Sequence, residues 1–357
     1  MENTYRLYIL IFIAIILSGC KKNDEPPENQ IQINITNGVI IVNEGLYPTG
    51  SGTLSLYNRL SGETNHKLYQ QANNGKLLGN IVQSVNVIRN KVFIIVNNAD
   101  KIEVAESTTM KAIAAIKSIP YPRYVLEIDS FKAYVTCWDN TVKVIDTESY
   151  DIIKSIPVGT GPEKLLKTGN KVFVLNLGGF DIDSTITVIN PESDEVIETI
   201  QVFPKPTGIT TDKNNHIWVL CSGKGWNGIH LPDDSEGHLI CFNPADYSIL
   251  HDIDFPSKTE HPVNLVAGKD RDNLYYYYTG GLYRFNIDSI NISTEPFIKR
   301  NMYYGLGFDR VDDLIYISDP VDYMQEGWVL RYTETGTAVD SFKVGIIPQE
   351  FYFLPKE

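Results

Sequence analysis

The sequence predicts an all-β protein with the fold of a seven-bladed β-propeller. The first observation behind this prediction is a unit of about forty residues, made of strands and turns, which is typical of propeller blades. That unit returns seven times along the chain. The second observation is a C-terminal segment that can supply the one strand missing from the first unit. Because a propeller core is a scaffold, we expect function to reside in its loops.

Each unit contains an apolar strand, a turn and a second apolar strand that ends near an acidic or amide residue. The first strands of these pairs begin at Gly38, Lys91, Lys132, Lys171, His216, Asn273 and Asp313. Their partners read TLSLYN, KIEVAE, TVKVID, TITVIN, HLICFN, GLYRFN and WVLRYT. Both strands are nearly continuous in apolar residues, as expected where a blade is covered on both faces by its neighbours.

Two further strands complete each predicted blade. A short segment, often opened by proline, precedes the apolar pair, as in Pro122-Arg-Tyr, Pro162-Glu-Lys, Pro206-Thr-Gly and Pro262-Val-Asn. A more polar strand follows the pair, as in YDIIKSIPVG and DEVIETIQVF. Its alternating pattern is typical of a solvent-facing outer edge. The sequence therefore predicts four strands per blade.

The first unit lacks the proline segment, and the C-terminus provides a replacement. Pro348-Gln-Glu-Phe-Tyr-Phe fits the slot of an innermost strand. We expect Phe351–Phe353 to pair beside Val39–Val42, so that the C-terminal strand closes blade one and removes a free sheet edge.

The N-terminus predicts export and lipid anchoring. Arg6 precedes the apolar run Leu7–Leu17, which is too short to span a membrane and typical of a signal peptide. The run ends in Leu17-Ser18-Gly19-Cys20, which resembles a bacterial lipobox. The resemblance implies cleavage before Cys20 and its acylation; the alternative is an ordinary secretory signal with a chance cysteine. We therefore predict a signal peptide over 1–19, a lipidated disordered tether over 20–36 and a single propeller domain over 37–357.

Composition excludes one class of function. A net charge of −13 without a basic stripe argues against nucleic-acid binding.

The three cysteines beyond Cys20 lie in strands, where small buried thiols are favoured over a disulfide. No Cys/His cluster indicates a metal, and His230 and His238, eight residues apart in one loop, are weak evidence for a ligand pair. Catalytic motifs are also absent from the sequence. We predict neither a metal nor a cofactor, and no enzymatic activity.

Unequal loops indicate a binding face. Connections between second and third strands, and those between successive blades, emerge on the same side of a propeller. Blades one, four, five and seven carry long second-to-third loops, at 43–52, 177–184, 222–237 and 319–327, and such loops usually lie on the binding face. Aromatic side chains there suit a flat, largely uncharged ligand, although each could instead anchor its own loop. The predicted ligand-binding residues are Tyr47, Phe180, Trp226 and Tyr323 in these loops, together with Trp138 in the short blade-three turn.

Several segments carry resemblances to known proteins. KAYVTCWDNTVKVIDTESYDIIKSIPVG is similar to the YVTN-type propeller repeat, with Cys137 where that motif prefers asparagine. GVIIVNEGLYPTGSGTLSLYNRLSGE, LLGNIVQSVNVIRNKVFIIVNNADKIEV and the closing IYISDPVDY and DSFKVGIIPQEF resemble YVTN-like surface propeller lipoproteins of Bacteroidetes, which are DUF5074-like.

That resemblance extends to the cobalamin-capturing BtuG-type lipoproteins. It implies an outer-membrane protein facing the cell exterior, which binds vitamin B12 or a related corrinoid and delivers it to a TonB-dependent transporter. No individual ligand contact is implied. Two alternatives remain open, a glycan- or protein-binding surface module and, less favoured, a lactonase-type enzyme with carboxylates or histidines converging at the channel mouth.

Overall fold

The computed structural model describes residues 35–356, which form seven four-stranded antiparallel sheets arranged as a β-propeller. The all-β, seven-bladed prediction is confirmed. The predicted signal peptide, Cys20 and the tether up to residue 34 lie outside the described residues. Within residues 35–356, no helix is long and apolar enough to cross a membrane.

The innermost strands surround the central channel. In blade order they are β28 (Pro348–Phe353), β4 (Val82–Ile88), β8 (Pro122–Glu127), β12 (Pro162–Thr168), β16 (Pro206–Thr211), β20 (Val263–Ala267) and β24 (Leu306–Asp309). Each contacts the next, and β24 contacts β28, so the ring is closed.

The second and third strands form the buried middle of each blade. The second strands are β1 (Gly38–Asn43), β5 (Lys91–Val96), β9 (Lys132–Cys137), β13 (Lys171–Asn176), β17 (Ile217–Cys221), β21 (Asn273–Tyr278) and β25 (Leu314–Asp319). The third strands are β2 (Thr53–Asn58), β6 (Lys101–Glu106), β10 (Thr141–Asp146), β14 (Thr185–Asn190), β18 (His238–Phe242), β22 (Gly281–Asn286) and β26 (Glu326–Thr333). The second strands of blades five and seven begin one residue later than predicted.

The outer strands are β3 (Thr64–Asn65), β7 (Ala112–Lys117), β11 (Ile152–Pro157), β15 (Glu195–Gln201), β19 (Ile249–Asp254), β23 (Ile298–Lys299) and β27 (Ala338–Ile346). In blades one and six they shrink to two residues. A short helix α1 (Leu68–Ala72) follows β3, and a 3-10 turn (Asn97–Ala99) joins β5 to β6.

The hydrophobic core lies between the blades. Tyr134 and Val144 of blade three, for example, pack against Val172 and Val174 of blade four. Both faces of the second strands are buried, whereas the outer strands are mostly exposed. Burial of apolar area, at about 25 cal/mol per Å², is therefore what joins one blade to the next. Cys137, Cys221 and Cys241 are buried free thiols within this core, as predicted.

The C-terminal strand closes blade one, as predicted. Strand β28 pairs antiparallel with β1, with Phe353 opposite Val39 and Phe351 opposite Ile41. Phe351 belongs to the cluster that blade one shares with Tyr316 and Val329 of blade seven. The last strand therefore joins the two ends of the ring.

Candidate functional site

The two sets of loops predicted to share a face are joined by hydrogen bonds. After each of five second strands, a backbone N–H donates to the residue just before an innermost strand. Examples are Trp138 N to Tyr121 O, at 3.1 Å, and Glu44 N to Ile347 O, at 2.9 Å. The same bond joins Asn97 to Ile81, Leu177 to Gly161 and Ser222 to Lys205. We call the side of the propeller that carries these connections the loop face.

A β-bulge recurs where the innermost strands leave the loop face. Six of these seven strands contain a register shift near their first residue. A bulge places an extra residue in the strand and redirects its side chain. The bulged segments contain Gln83, Arg123 with Tyr124, Glu163 with Lys164, Thr207, Asn264 and Gln349. The repeat thus places a polar group at the channel mouth in six blades.

All of these polar groups except Gln83 line an open cavity of about 290 Å³ at the mouth of the channel. Its wall comes from six blades and includes Arg123, Glu163, Thr207, Asn264, Tyr303, Tyr304 and Gln349. One side is charged and the other carries aromatic rings and amides. The mouth can therefore offer hydrogen-bond donors and acceptors beside apolar surface, which is the usual composition of a ligand pocket.

Arg123 organises the charged side of the mouth. Its Nε donates to Glu163 Oε1 at 2.9 Å, and its Nη1 donates to Gln83 Oε1 at 2.6 Å. Trp138 Nε1 donates to the same Glu163 oxygen at 3.0 Å, and the guanidinium lies 4.2 Å from the Trp138 ring centroid. Burial raises the pKa of Glu163, while the Arg123 charge acts in the opposite direction. The carboxylate is held in place by donors on two sides.

Below the mouth, the channel encloses a cavity of about 450 Å³ to which all seven innermost strands contribute. Lys164 on blade four and Glu350 on blade one both line it, three blades apart in a ring of seven. Burial lowers the pKa of Lys164 and raises the pKa of Glu350 to about 8. Val85 N donates to Glu350 Oε2 at 3.2 Å. These two groups make the channel polar along its upper part.

A second carboxylate group lies where blades seven and one meet. Tyr304 Oη donates to Glu44 Oε1 at 2.9 Å, and burial raises the pKa of Glu44. The predicted ligand-binding residue Tyr323 packs against Tyr304, edge to face, with ring centroids 5.8 Å apart. Tyr323 therefore belongs to the rim of the mouth.

Trp138 and Phe180 lie together at the rim. Their ring centroids are 5.1 Å apart, and Phe180 also meets Tyr121 at 6.0 Å. Phe180 is nevertheless 83% exposed, whereas Trp138 is half-buried through its contacts with Arg123 and Glu163. Trp138 therefore packs against the charged residues that line the mouth, and Phe180 presents its ring to solvent.

Trp226 forms the wall of a smaller cavity of about 160 Å³, next to the blade-four loop. The Lys205 ammonium lies 3.8 Å from its ring centroid and donates to Gly225 O at 2.6 Å. Trp226 remains 59% exposed, and Tyr47, on the blade-one loop, is 71% exposed. Four of the five predicted residues therefore surround the mouth or adjoin its rim, while Tyr47 lies out on its own loop; their role in binding remains a prediction.

Sequence analysis missed the charged groups at the centre of this site, Glu44, Arg123, Glu163, Lys164 and Glu350. A signal for most of them was present, because polar residues directly follow the prolines that open the innermost strands. The carboxylates converge on the channel, and no pattern in the sequence predicts that arrangement. The structure gives each one hydrogen-bond donors within the protein, which suits a fixed binding surface.

The two histidines weighed from the sequence as a ligand pair differ in their surroundings. His230 is exposed, whereas His238 is buried and faces Asp252 and Asp254 of the outer strand. Within residues 35–356, Asp212, His216 and Cys241 form another group whose ligand atoms lie close enough to hold a metal ion.

The sequence and the fold can be compared with known proteins. A family profile described as "Domain of unknown function (DUF5074)" matches residues 37–353. No curated protein matches the sequence.

Solved structures share the fold at low identity. A quinonprotein alcohol dehydrogenase-like protein of Bacteroides thetaiotaomicron has a TM-score of 0.65 and 15% identity, over 90% of this chain and 79% of that one. A functionally unknown protein of Desulfotomaculum acetoxidans has a TM-score of 0.65 and 13% identity, over 90% and 100%. Apo AztD of Citrobacter koseri has a TM-score of 0.53 and 12% identity, over 88% and 96%. These likenesses concern the fold alone.

Proposed function

The chain belongs to the DUF5074 family of domains of unknown function, and we propose that it is a binding protein that holds its ligand at the channel mouth of the loop face. The observation that carries this proposal is the ring of bulged polar residues around an open cavity, rimmed by exposed aromatic side chains. Bulges of this kind often lie at functional sites because they redirect side chains. Binding, rather than catalysis, is the proposed activity.

The proposed ligand is cobalamin or a related corrinoid. Such a ligand has a broad ring and many amide groups on its edge, and the mouth offers matching chemistry. Asn264 and Gln349 line the mouth with amides, Tyr303 and Tyr304 line it with aromatic rings, and Phe180 offers an exposed apolar surface. The acidic protein is compatible with a ligand of little net charge.

The first strand of the propeller begins on the side opposite the loop face. Second strands end at the loop face, so β1 begins at Gly38 on the opposite side, where Ile35 O accepts a hydrogen bond from Gly38 N at 3.0 Å. We infer that Cys20 is acylated, as its sequence context predicts. We propose an outer-membrane location facing the exterior and a TonB-dependent transporter as the receiving partner. Incorporation of labelled palmitate at Cys20 tests the anchor.

A glycan is the second candidate ligand. Sugar rings stack on exposed aromatic faces and use their hydroxyls on nearby polar groups. Trp226 has Lys205 over its ring and remains largely exposed, and Asp181 lines the same small cavity. That combination suits a carbohydrate as well as a corrinoid edge.

Titration of the purified protein with cyanocobalamin tests the proposal. We expect micromolar or tighter binding, weakened about tenfold or more in Phe180→Ala and Trp226→Ala, because exposed aromatic anchors supply much of such binding energy. Phe131→Ala is the matched control: Phe131 is 58% exposed but lies between β8 and β9, on the opposite face.

Absence of binding at high-micromolar cyanocobalamin would reject the corrinoid. A glycan array then separates the remaining candidates, since glycan binding that is lost in Trp226→Ala but kept in Phe131→Ala supports the carbohydrate. Equal weakening by all three variants would reject the loop face as the site.

A further inference from the structure

A cluster of three potential metal ligands lies in blade five, beside the longest loop. His238 is the first residue of β18 and directly follows that loop. Asp254 of the outer strand β19 is its cross-strand partner, and Asp252 lies two residues away on the same face of the strand. The antiparallel register therefore brings one imidazole and two carboxylates together.

The distances between the ligand atoms match those around a metal ion. His238 Nδ1 lies 3.0 Å from Asp252 Oδ1 and 3.2 Å from Asp254 Oδ1, and all three atoms lie within 4.8 Å of one another. Metal–ligand bonds of about 2.0–2.2 Å place neighbouring ligand atoms roughly 2.9–3.5 Å apart in octahedral or tetrahedral sites. The two carboxylate oxygens lie within 4.8 Å of each other.

The histidine is held with this nitrogen aimed at the carboxylates. His238 is only 8% exposed, and its ring stacks on Phe203 of blade four with centroids 3.3 Å apart and planes 4° from parallel. Stacking and burial restrict the rotation of the ring. The imidazole is therefore a fixed group, and the two carboxylates lie on the strand beside it.

The number of acceptors favours a cation over internal hydrogen bonds. A single imidazole nitrogen carries one N–H or one lone pair, yet two carboxylate oxygens approach it. The two aspartates also repel each other on the exposed strand, and within residues 35–356 neither pairs with a lysine or an arginine. A divalent cation would satisfy all three groups at once.

We propose that His238, Asp252 and Asp254 form a binding site for a divalent transition-metal ion such as Zn²⁺. One imidazole with two carboxylates is a ligand set that zinc accepts, with water completing the coordination. Asp252 and Asp254 are open to solvent, so the ion can reach the site from outside. Bound there, it links β18 to β19 at the base of the longest loop and steadies the part of the loop face that carries Trp226.

Equilibrium dialysis of the chelator-treated protein against low-micromolar zinc chloride, with metal quantified by mass spectrometry, tests the site. We expect about one zinc per chain in the wild type and none above background in the double variant Asp252→Asn/Asp254→Asn. These side chains are exposed, so the variant is expected to keep the fold, checked by circular dichroism. Zinc should raise the Tm of the wild type alone, because it binds only the folded site.

His216→Gln is the matched control, since it alters the separate group of Asp212, His216 and Cys241. It should bind zinc as the wild type does. The proposal is overturned if the wild type binds no zinc, if the double variant binds as much as the wild type, or if His216→Gln is the variant that loses the metal.

Discussion

At the scale of single residues, the unusual feature is the placement of ionisable groups inside the ring. Lys164 and Glu350 line the channel without forming a direct ion pair between them, and Arg123 and Glu163 form a largely buried pair just above. Buried charges cost stability unless they are paired or serve a function. Their position around the channel supports the binding role proposed for its mouth.

Glu350 makes stability depend on pH in a predictable direction. Its pKa is raised from 4.5 to about 8, so the folded state favours the neutral acid. The unfolded chain ionises first, and stability is therefore lost progressively as pH rises from about 4.5 to about 8. Glu350→Gln removes this loss. We expect the Tm of the variant to rise relative to that of the wild type across this window and to level off above it.

Thermal unfolding at a series of pH values checks this expectation. Glu192→Gln, at an exposed position of blade four, is the control for the change in net charge. Its Tm should follow that of the wild type at every pH. Parallel curves for the wild type and Glu350→Gln would show that this carboxyl does not ionise unfavourably in the channel.

At the scale of elements, the sequence predicts the middle strands well and the innermost strands incompletely. Apolar runs locate the second and third strands to within one residue at nearly every start, because burial on both faces leaves a continuous pattern. The bulges leave no such pattern in the sequence. One added polar residue after Pro122 or Pro162 does not visibly change the alternation of side chains in so short a strand. The charged half of the site was therefore hidden in segments whose strand character was recognised.

The interactions that assemble the site were beyond sequence reasoning for a different reason. Arg123 contacts Gln83, Glu163 and Trp138, which belong to three different blades. Which side chains meet across blades depends on the angle and register of the sheets. Likewise His238 could be assigned to a strand, but its neighbours Asp252 and Asp254 follow only from the pairing of β18 with β19.

Two glycines at opposite ends of β12 give a test of the turn that supports the mouth. Gly161 and Gly169 have nearly the same φ, 56° and 55°. A Cβ on Gly161 would overlap the backbone of Gly178 and Gly179 in the blade-four loop, whereas one on Gly169 meets nothing within 4 Å. We expect Gly169→Ala to lower the free energy of unfolding by about 1–2 kcal/mol, because alanine disfavours a left-handed backbone. Gly161→Ala should lower it by several kcal/mol, because the added Cβ also overlaps the loop backbone.

Chemical denaturation of both variants measures the difference in the free energy of unfolding. Similar losses would mean that the blade-four loop moves aside without cost. In that case the loop is not held against β12, and Phe180 would not be a fixed part of the rim.

At the scale of the whole molecule, the ring depends on contacts between its first and last blades. Arg59 of blade one donates through Nε to Asp309 of blade seven at 2.7 Å, and through Nη1 to Leu354 O at 3.0 Å. Arg331 Nη2 donates to Tyr57 Oη at 2.7 Å across the same junction. The Arg59 and Asp309 side chains are buried, so loss of either partner would leave a buried charge, at about 3–5 kcal/mol. Closure thus uses strand pairing, apolar packing and ion pairs together.

Removal of the C-terminal strand should therefore affect the whole ring. Deletion of residues 348–357 leaves β1 paired with β2 on one edge only and exposes Val39 and Ile41, which Phe351 helps to cover. The lost burial and hydrogen bonds are comparable with the entire stability of a typical domain, about 5–15 kcal/mol. We expect the shortened chain to lose its cooperative thermal transition. Deletion of 355–357, where Pro355 and Lys356 are exposed, should leave the Tm within about 2 °C of that of the full-length protein.

A synthetic peptide spanning 346–357 should restore the transition by adding the missing strand. A shortened chain that melts like the full-length protein would show that blade one is stable with three strands and that the ring does not depend on its last segment.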